Sequence, residues 1–199
     1  MLQADFGARI QKESWNAEIV VFVMDYDDRI TSALTGDVTE DGRDIVQSVN
    51  AARSSIQGIE ARLEFALANT LTAAMALNVV RGEQQDTGGQ MEPADRKPPV
   101  NGKIELAYDA GGDFRIDAWA RFAAAQDRLS ARDIRDNRID PQGTPGWGII
   151  GIQLIRHVGD AWQLSLRADN LLDKRYRMHG SGLDGVGRNV SVTIGRFWL

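Results

Sequence analysis

Trp162-Gln163-Leu164-Ser165-Leu166-Arg167-Ala168-Asp169 sorts its side chains by parity: Trp162, Leu164, Leu166 and Ala168 are apolar, and Gln163, Ser165, Arg167 and Asp169 are polar. A strand sends alternate side chains to opposite faces, so this stretch predicts a strand with one apolar and one charged face. The same split recurs upstream. Phe114, Ile116, Ala118, Ala120, Phe122 and Ala124 oppose Arg115, Asp117, Trp119, Arg121 and Asp127; Ile104, Leu106 and Tyr108 oppose Lys103, Glu105 and Asp109. Ala61, Leu63, Phe65 and Leu67 alternate with Glu60, Arg62 and Glu64, and Leu71, Ala73, Met75, Leu77 and Val79 form a further apolar face. Near the end, Val190, Val192, Ile194 and Trp198 stand against Asn189, Ser191, Thr193 and Gly195.

This periodicity predicts an all-β antiparallel meander of about nine strands, near 3–12, 17–31, 45–68, 71–85, 100–109, 114–132, 145–157, 161–170 and 188–198. Short connections, around 13–16, 69–70, 110–113 and 159–160, alternate with long ones rich in Gly, Pro, Asp and Asn at 32–44, 86–99, 133–144 and 171–187. Tight turns at one end and long loops at the other are the plan of a transmembrane β-barrel with turns in the periplasm and loops outside the cell. Trp15, Tyr108, Phe114, Trp162 and Trp198 lie in the apolar phase close to the short turns, as an interfacial ring belt requires. A soluble β-sandwich is the alternative, and it would place its rings at strand centres.

The 199 residues include no cysteine and two histidines, His157 and His179, too far apart for a histidine metal site. No metal, cofactor or catalytic residue is expected, because neither histidine has a nucleophile at a readable spacing and adjacent Asp27 and Asp28 would point to opposite faces. A net charge of −5 without a basic stripe argues against nucleic acid. The longest apolar run, Ile19 to Met24, is far too short for a membrane helix, and Met1 to Asp5 does not read as an export signal. In a barrel the charged face, with Arg9, Glu60, Arg62, Glu64, Lys103, Glu105, Asp109, Arg115, Asp117, Arg121, Asp127, Arg167 and Asp169, lines a wet or plugged lumen. Its mixed signs do not suit a strongly ion-selective pore. Nine strands do not close a barrel of the usual even-numbered kind, so residues 1–199 are expected to be a C-terminal portion with an open edge at the first strand.

Asn170-Leu171-Leu172-Asp173-Lys174-Arg175-Tyr176, followed by Gly187-Arg188-Asn189-Val190, resembles the N-L-[LF]-D-x-x-Y signature of the penultimate strand and the P-G-R-x-[VY] entry to the last strand of TonB-dependent outer-membrane receptors, with Val186 where proline is usual. Asn50-Ala51-Ala52-Arg53 with Gly58-Ile59-Glu60 is similar to that family's N-x-x-x-[AR]…G-[VI]-E strand, favouring 45–68 as one strand. Phe22-Val23-Met24-Asp25-Tyr26-Asp27-Asp28-Arg29-Ile30 resembles its F-x-x-D-Y-x-D-x-I segment.

The resemblance implies a 22-stranded barrel in a bacterial outer membrane, of which this chain supplies the last nine strands. The plug domain and the earlier strands are not in this sequence. It implies energised uptake of a scarce ligand such as a ferric siderophore. Its partners would be outer-membrane lipid, an inner-membrane energy-coupling protein reached through the missing N-terminal part, and the barrel-assembly machinery, with Trp198 as the terminal assembly aromatic. Within the loop 175–182, Arg175, Arg177 and His179 are the candidates for ligand contact, since cations and an imidazole suit an anionic complex. Tyr176 equally suits an extracellular ring belt. A passive outer-membrane channel and a soluble β-rich binding domain are the alternative functions.

Overall fold

The computed structural model describes residues 1–27, 30–50, 53–86 and 88–198. Its strands are β1 (Leu2–Gln11), β2 (Trp15–Tyr26), β3 (Ile30–Val38), β4 (Asp44–Asn50), β5 (Ser54–Ala68), β6 (Leu71–Gln85), β7 (Met91–Pro93), β8 (Asn101–Asp109), β9 (Phe114–Ala123), β10 (Trp147–Val158), β11 (Trp162–Asp169) and β12 (Asn189–Arg196), with one short helix, α1 (Ala131–Arg135), between β9 and β10. The main sheet runs β1-β2-β5-β6-β8-β9-β10-β11-β12, a nine-strand antiparallel meander, with β7 as a short addition to β6. None of the described helices is long and apolar enough to cross a membrane.

Register turns nine separate alternations into one surface. Leu166 lies opposite Leu154 on one side and Val192 on the other. Leu154 faces Ile116, and Ile116 faces Tyr108. Tyr108 faces Leu71, and further along the sheet Val79 faces Ile59, which faces Val21, which faces Phe6. Directly opposed residues share a face, so the apolar phases of all nine strands join. On β5 the apolar series from Leu67 to Ile59 spans about 26 Å of strand, or about 20 Å after a tilt near 40°, comparable with the roughly 25 Å band of membrane barrels.

This surface is open: Leu164 and Leu166 are each 43% exposed and Ile194 is 68% exposed. A soluble sandwich buries its apolar face against a second sheet. Here the few buried apolar residues, among them Ala94 and Ile139, lie largely in the loops and on the opposite face. Trp15, Phe65, Tyr108, Phe114 and Trp162 line the short-turn edge of the apolar face, through the pairs Trp15↔Phe65, Tyr108↔Ile116 and Phe114↔Arg156.

Two strand expectations need correction. Residues 45–68 form two strands. β4 leaves the sheet and pairs with β3 as a separate hairpin, and β5 begins at Ser54. The expected loop at 32–44 is therefore mostly hairpin, its turn closed by the Thr39 N–H donating to the Arg43 carbonyl and the Gly42 N–H donating to the Thr39 carbonyl. The alternation of short and long connections survives because this hairpin belongs to the long connection between β2 and β5. Segment 114–132 is likewise shorter than expected. β9 ends at Ala123, and Ser130 caps α1, accepting from the Asp133 N–H while the Asp133 side chain accepts from the Ser130 N–H. Asp127 consequently belongs to a loop and not to the charged face. Asp28, Arg29, Ala51 and Ala52, which the motif readings touched, and Leu199 lie outside the described residues.

Two glycines on the charged face are explained by rings. Gly58 lies opposite Phe22, whose ring occupies the space a Cβ would take, and Gly151 lies opposite Trp119 in the same way. The two upstream motifs thus meet as a cross-strand pair, Phe22 of one against Gly58 of the other.

Candidate functional site

All four long connections emerge at one end of the meander, and side chains weld three of them together. The 170–188 connection is built on its motif. Asn170 and Asp173 adopt φ of 49° and 52°, left-handed conformations that Asn and Asp tolerate better than most residues. Asn170, 2% exposed, accepts from the Lys174 N–H at 2.9 Å and donates through Nδ2 to the carbonyls of Lys174 at 2.9 Å and Val186 at 3.1 Å. Asp173 accepts from the Arg188 N–H at 2.8 Å, and Arg188 Nε donates to the Leu171 carbonyl at 3.0 Å. Leu172 is exposed, and Asn189 opens β12 opposite Asp169. The motif is a clasp that closes the base of the loop.

Above the clasp, Arg175 and Arg177 converge on Asp184, at 2.9 and 2.7 Å. Tyr176 packs on Trp147 with ring centroids 4.7 Å apart. His179 Nδ1 lies 2.9 Å from Thr144 Oγ1. These contacts enclose a cavity of ≈360 Å³ lined by Arg138, Lys174, Arg175, Arg177, Trp147, Tyr176, Asp140 and Asp184 among others. The three expected contact residues are thus brought into one loop cluster, and Arg175 and Arg177 line its cavity directly. Asp184, Arg138, Lys174 and Trp147 were not legible as site residues, because only the folded loops place them together.

The neighbouring loops form a buried polar joint. The Asp133 carboxylate, fully buried, accepts from the Arg96 N–H at 3.1 Å, and Glu92 Oε2 accepts from the Ala131 N–H at 2.8 Å. Asp136 takes Arg96 at 2.6 Å and Arg138 at 2.7 Å, tying the joint to the cavity rim. Arg138, and after it Arg96, holds the Asp136 carboxyl far below the ordinary range; Arg175 and Arg177 likewise lower that of Asp184. Burial pushes the His179 imidazole below its usual 6.5, partly opposed by the charges of Asp133 and Asp136. Its Nε2 is buried and has no partner among the described residues.

The opposite face of the sheet carries mixed charge, paired mostly along single strands at two-residue spacing. Arg115–Asp117 at 2.8 Å and Arg167–Asp169 at 2.6 Å are examples, with Arg9–Glu18 at 2.8 Å across strands. A groove of ≈500 Å³ is lined by Glu18, Glu60, Arg62, Lys103 and Arg121. Arg167 also lies over the Trp119 ring, 4.4 Å from its centroid. At the far, short-turn end, Trp198 is 79% exposed and stacks with Arg196 at 4.0 Å.

Comparison with known proteins places this architecture. A family model described as "TonB dependent receptor-like, beta-barrel" matches residues 2–171. No curated protein matches the chain in sequence. Among solved structures, the fold is similar to the copper transporter OprC (TM-score 0.81, 21% identity, 98% of this chain and 30% of that one). It is also similar to the FrpB iron transporter from Neisseria meningitidis (0.73, 17%, 98% and 31%) and the siderophore receptor PirA from Pseudomonas aeruginosa (0.69, 18%, 98% and 29%). The chain spans about 30% of the length of these structures. With a nine-strand meander, an open apolar face and a family match over most of its length, the chain belongs to the TonB-dependent receptor β-barrel family.

Proposed function

We propose that these nine strands are the C-terminal part of a larger closed barrel in a bacterial outer membrane, and that the intact protein takes up a scarce anionic ligand, a ferric siderophore, with energy relayed from the inner membrane. The observation that carries this reading is the loop cavity, where Arg138, Lys174, Arg175 and Arg177 surround two packed rings at the long-loop end. Cations beside aromatic faces suit an anionic, ring-bearing chelate. The mixed charge of the opposite face suits a hydrogen-bonded plug better than a one-sign pore. The unpaired outer sides of β1 and β12 would cost several kcal/mol per unsatisfied backbone group in hydrocarbon, which favours pairing with further strands. In this reading the partners are membrane lipid, a plug, an inner-membrane energy-coupling protein, and assembly machinery engaging Trp198.

Growth of cells on ferric siderophores as sole iron source tests the reading. Growth that requires both the intact receptor and the inner-membrane energy source supports it. Growth that persists without the energy source favours a passive channel. A monodisperse, detergent-free form of residues 1–199 with a cooperative melt would instead revive the soluble binding domain.

A further inference from the structure

Among the described residues, two arginines stand in the apolar phase at its short-turn edge, whereas Arg81, in the same phase at the long-loop end, pairs with Glu83. Arg156 lies opposite Leu164 on one side and Phe114 on the other, in the phase of Leu154 and Ile152. Arg196 lies opposite Trp162, in the phase of Val192 and Ile194. Both are exposed, and neither has an ion-pair partner among the described residues, including Asp160 in the adjoining turn. Strand spacing separates their Cα atoms by about 12 Å across β11, within the combined reach of two arginine side chains.

Arg196 is held between rings, its guanidinium carbon 5.2 Å from the Trp162 ring centroid and 4.0 Å from that of Trp198. Stacking occupies the flat face of a guanidinium and leaves its N–H edge free to donate. The result is a cationic edge set in an aromatic belt, immediately below rows of Leu and Ile that meet acyl chains.

We propose that Arg156 and Arg196, with Trp162 and Trp198, bind the phosphodiester headgroup of an anionic phospholipid in the periplasmic leaflet. The inference rests on the membrane reading above and goes beyond it by naming a lipid class and a leaflet. Charge complementarity selects the phosphate, and the apolar rows above the pair distinguish a lipid from a free anion, because only a lipid also covers Leu164 and Ile194. The attraction of two basic side chains near a lipid surface amounts together to about thirtyfold selectivity at one position of the perimeter.

The test uses the whole receptor, reconstituted in phosphatidylcholine vesicles with spin-labelled phosphatidylglycerol or spin-labelled phosphatidylcholine as probe. The readout is the motionally restricted lipid fraction, and insertion is checked by heat-modifiable gel mobility. The wild type is expected to prefer phosphatidylglycerol by about twofold averaged over its perimeter. Arg156→Gln with Arg196→Gln abolishes that preference, whereas the double Lys variant retains it. An inserted barrel with no preference, or a preference that survives the double Gln variant, overturns the proposal and leaves the membrane reading intact. A receptor that fails to insert overturns both. Loss of the preference in added inorganic phosphate, but not in chloride at equal ionic strength, would make the pair a simple anion site and overturn the lipid assignment.

Discussion

The side-chain amide of Asn170 donates to the carbonyl of Val186 at 3.1 Å, joining the two ends of a connection whose arginines line the loop cavity. Asn170→Ala removes all three bonds of this side chain and places a Cβ-bearing residue without a compensating side chain at φ of 49°. The expected cost is about 2 to 4 kcal/mol, from the lost bonds and the buried groups left unpaired. Asn170→Asp keeps the acceptor but sets a buried carboxylate oxygen against the carbonyls of Lys174 and Val186, and is expected to cost at least as much. Protease nicking within 175–183 checks both, with each variant cut faster than the wild type.

The apolar face makes a depth-dependent prediction. Leu154 and Leu166 oppose each other near the middle of the band, whereas Leu164 lies one row from the Trp162 belt. Leu154→Arg should cost about 2 to 4 kcal/mol and Leu164→Arg about 1 kcal/mol or less. Denaturant titration of the receptor in vesicles measures both. Spin labels at 164 and 167 should respectively favour lipid-soluble and water-soluble quenchers, and equal responses would refute the strand phase.

On the charged face, Gly151→Val should act through Trp119. A Cβ at Gly151 would fall 2.5 Å from the indole ring, so the ring must move and release Arg167. Overpacking of this kind costs about 1 to 3 kcal/mol. Trp119→Phe paired with Gly151→Val should recover part of it. A double-mutant cycle in urea gives the coupling, and strict additivity would remove the contact from the account.

Replacing Arg175, Arg177 and His179 together by Ala should weaken ferric-siderophore binding at least tenfold without lowering the amount of heat-modifiable barrel, since the loop lies outside the sheet. Binding to purified receptor measures the first effect and gel mobility the second. Unchanged affinity would remove this loop from the ligand site.

Acidification should loosen the same loop through His179. Its folded pKa lies below the ordinary 6.5, so the unfolded loop binds the proton more readily. The stability supplied by the neutral ring is therefore complete above about pH 6.5 and is lost as pH falls below it. Asp184 and Asp136, held ionised to lower pH by their arginines, do not titrate in that window. Nicking of the loop should rise between pH 7.5 and 5.5, and His179→Asn, which keeps a bond to Thr144 without titrating, should flatten the profile.

The nine-strand path was legible in the sequence because parity is local: Leu164 and Leu166 declare a face without knowledge of any neighbour. The split of 45–68 was not, since the motif from Asn50 to Glu60 favoured one strand and only the partner of Asp44–Asn50, β3 instead of the main sheet, takes that segment off the meander. The end of β9 carried a readable signal in Ser130-x-x-Asp133, a capping pattern that parity alone overlooks. For the site, Asn170, Asp173 and Arg188 were visible as a motif, but their work as a clasp appears only with φ values and bonds across 15 and 16 residues. Arg175, Arg177 and His179 were visible as chemistry. Their partners Asp184 and Thr144 were not, because loops bring residues together without a period, and the pairing of charges is decided by the folded path between them.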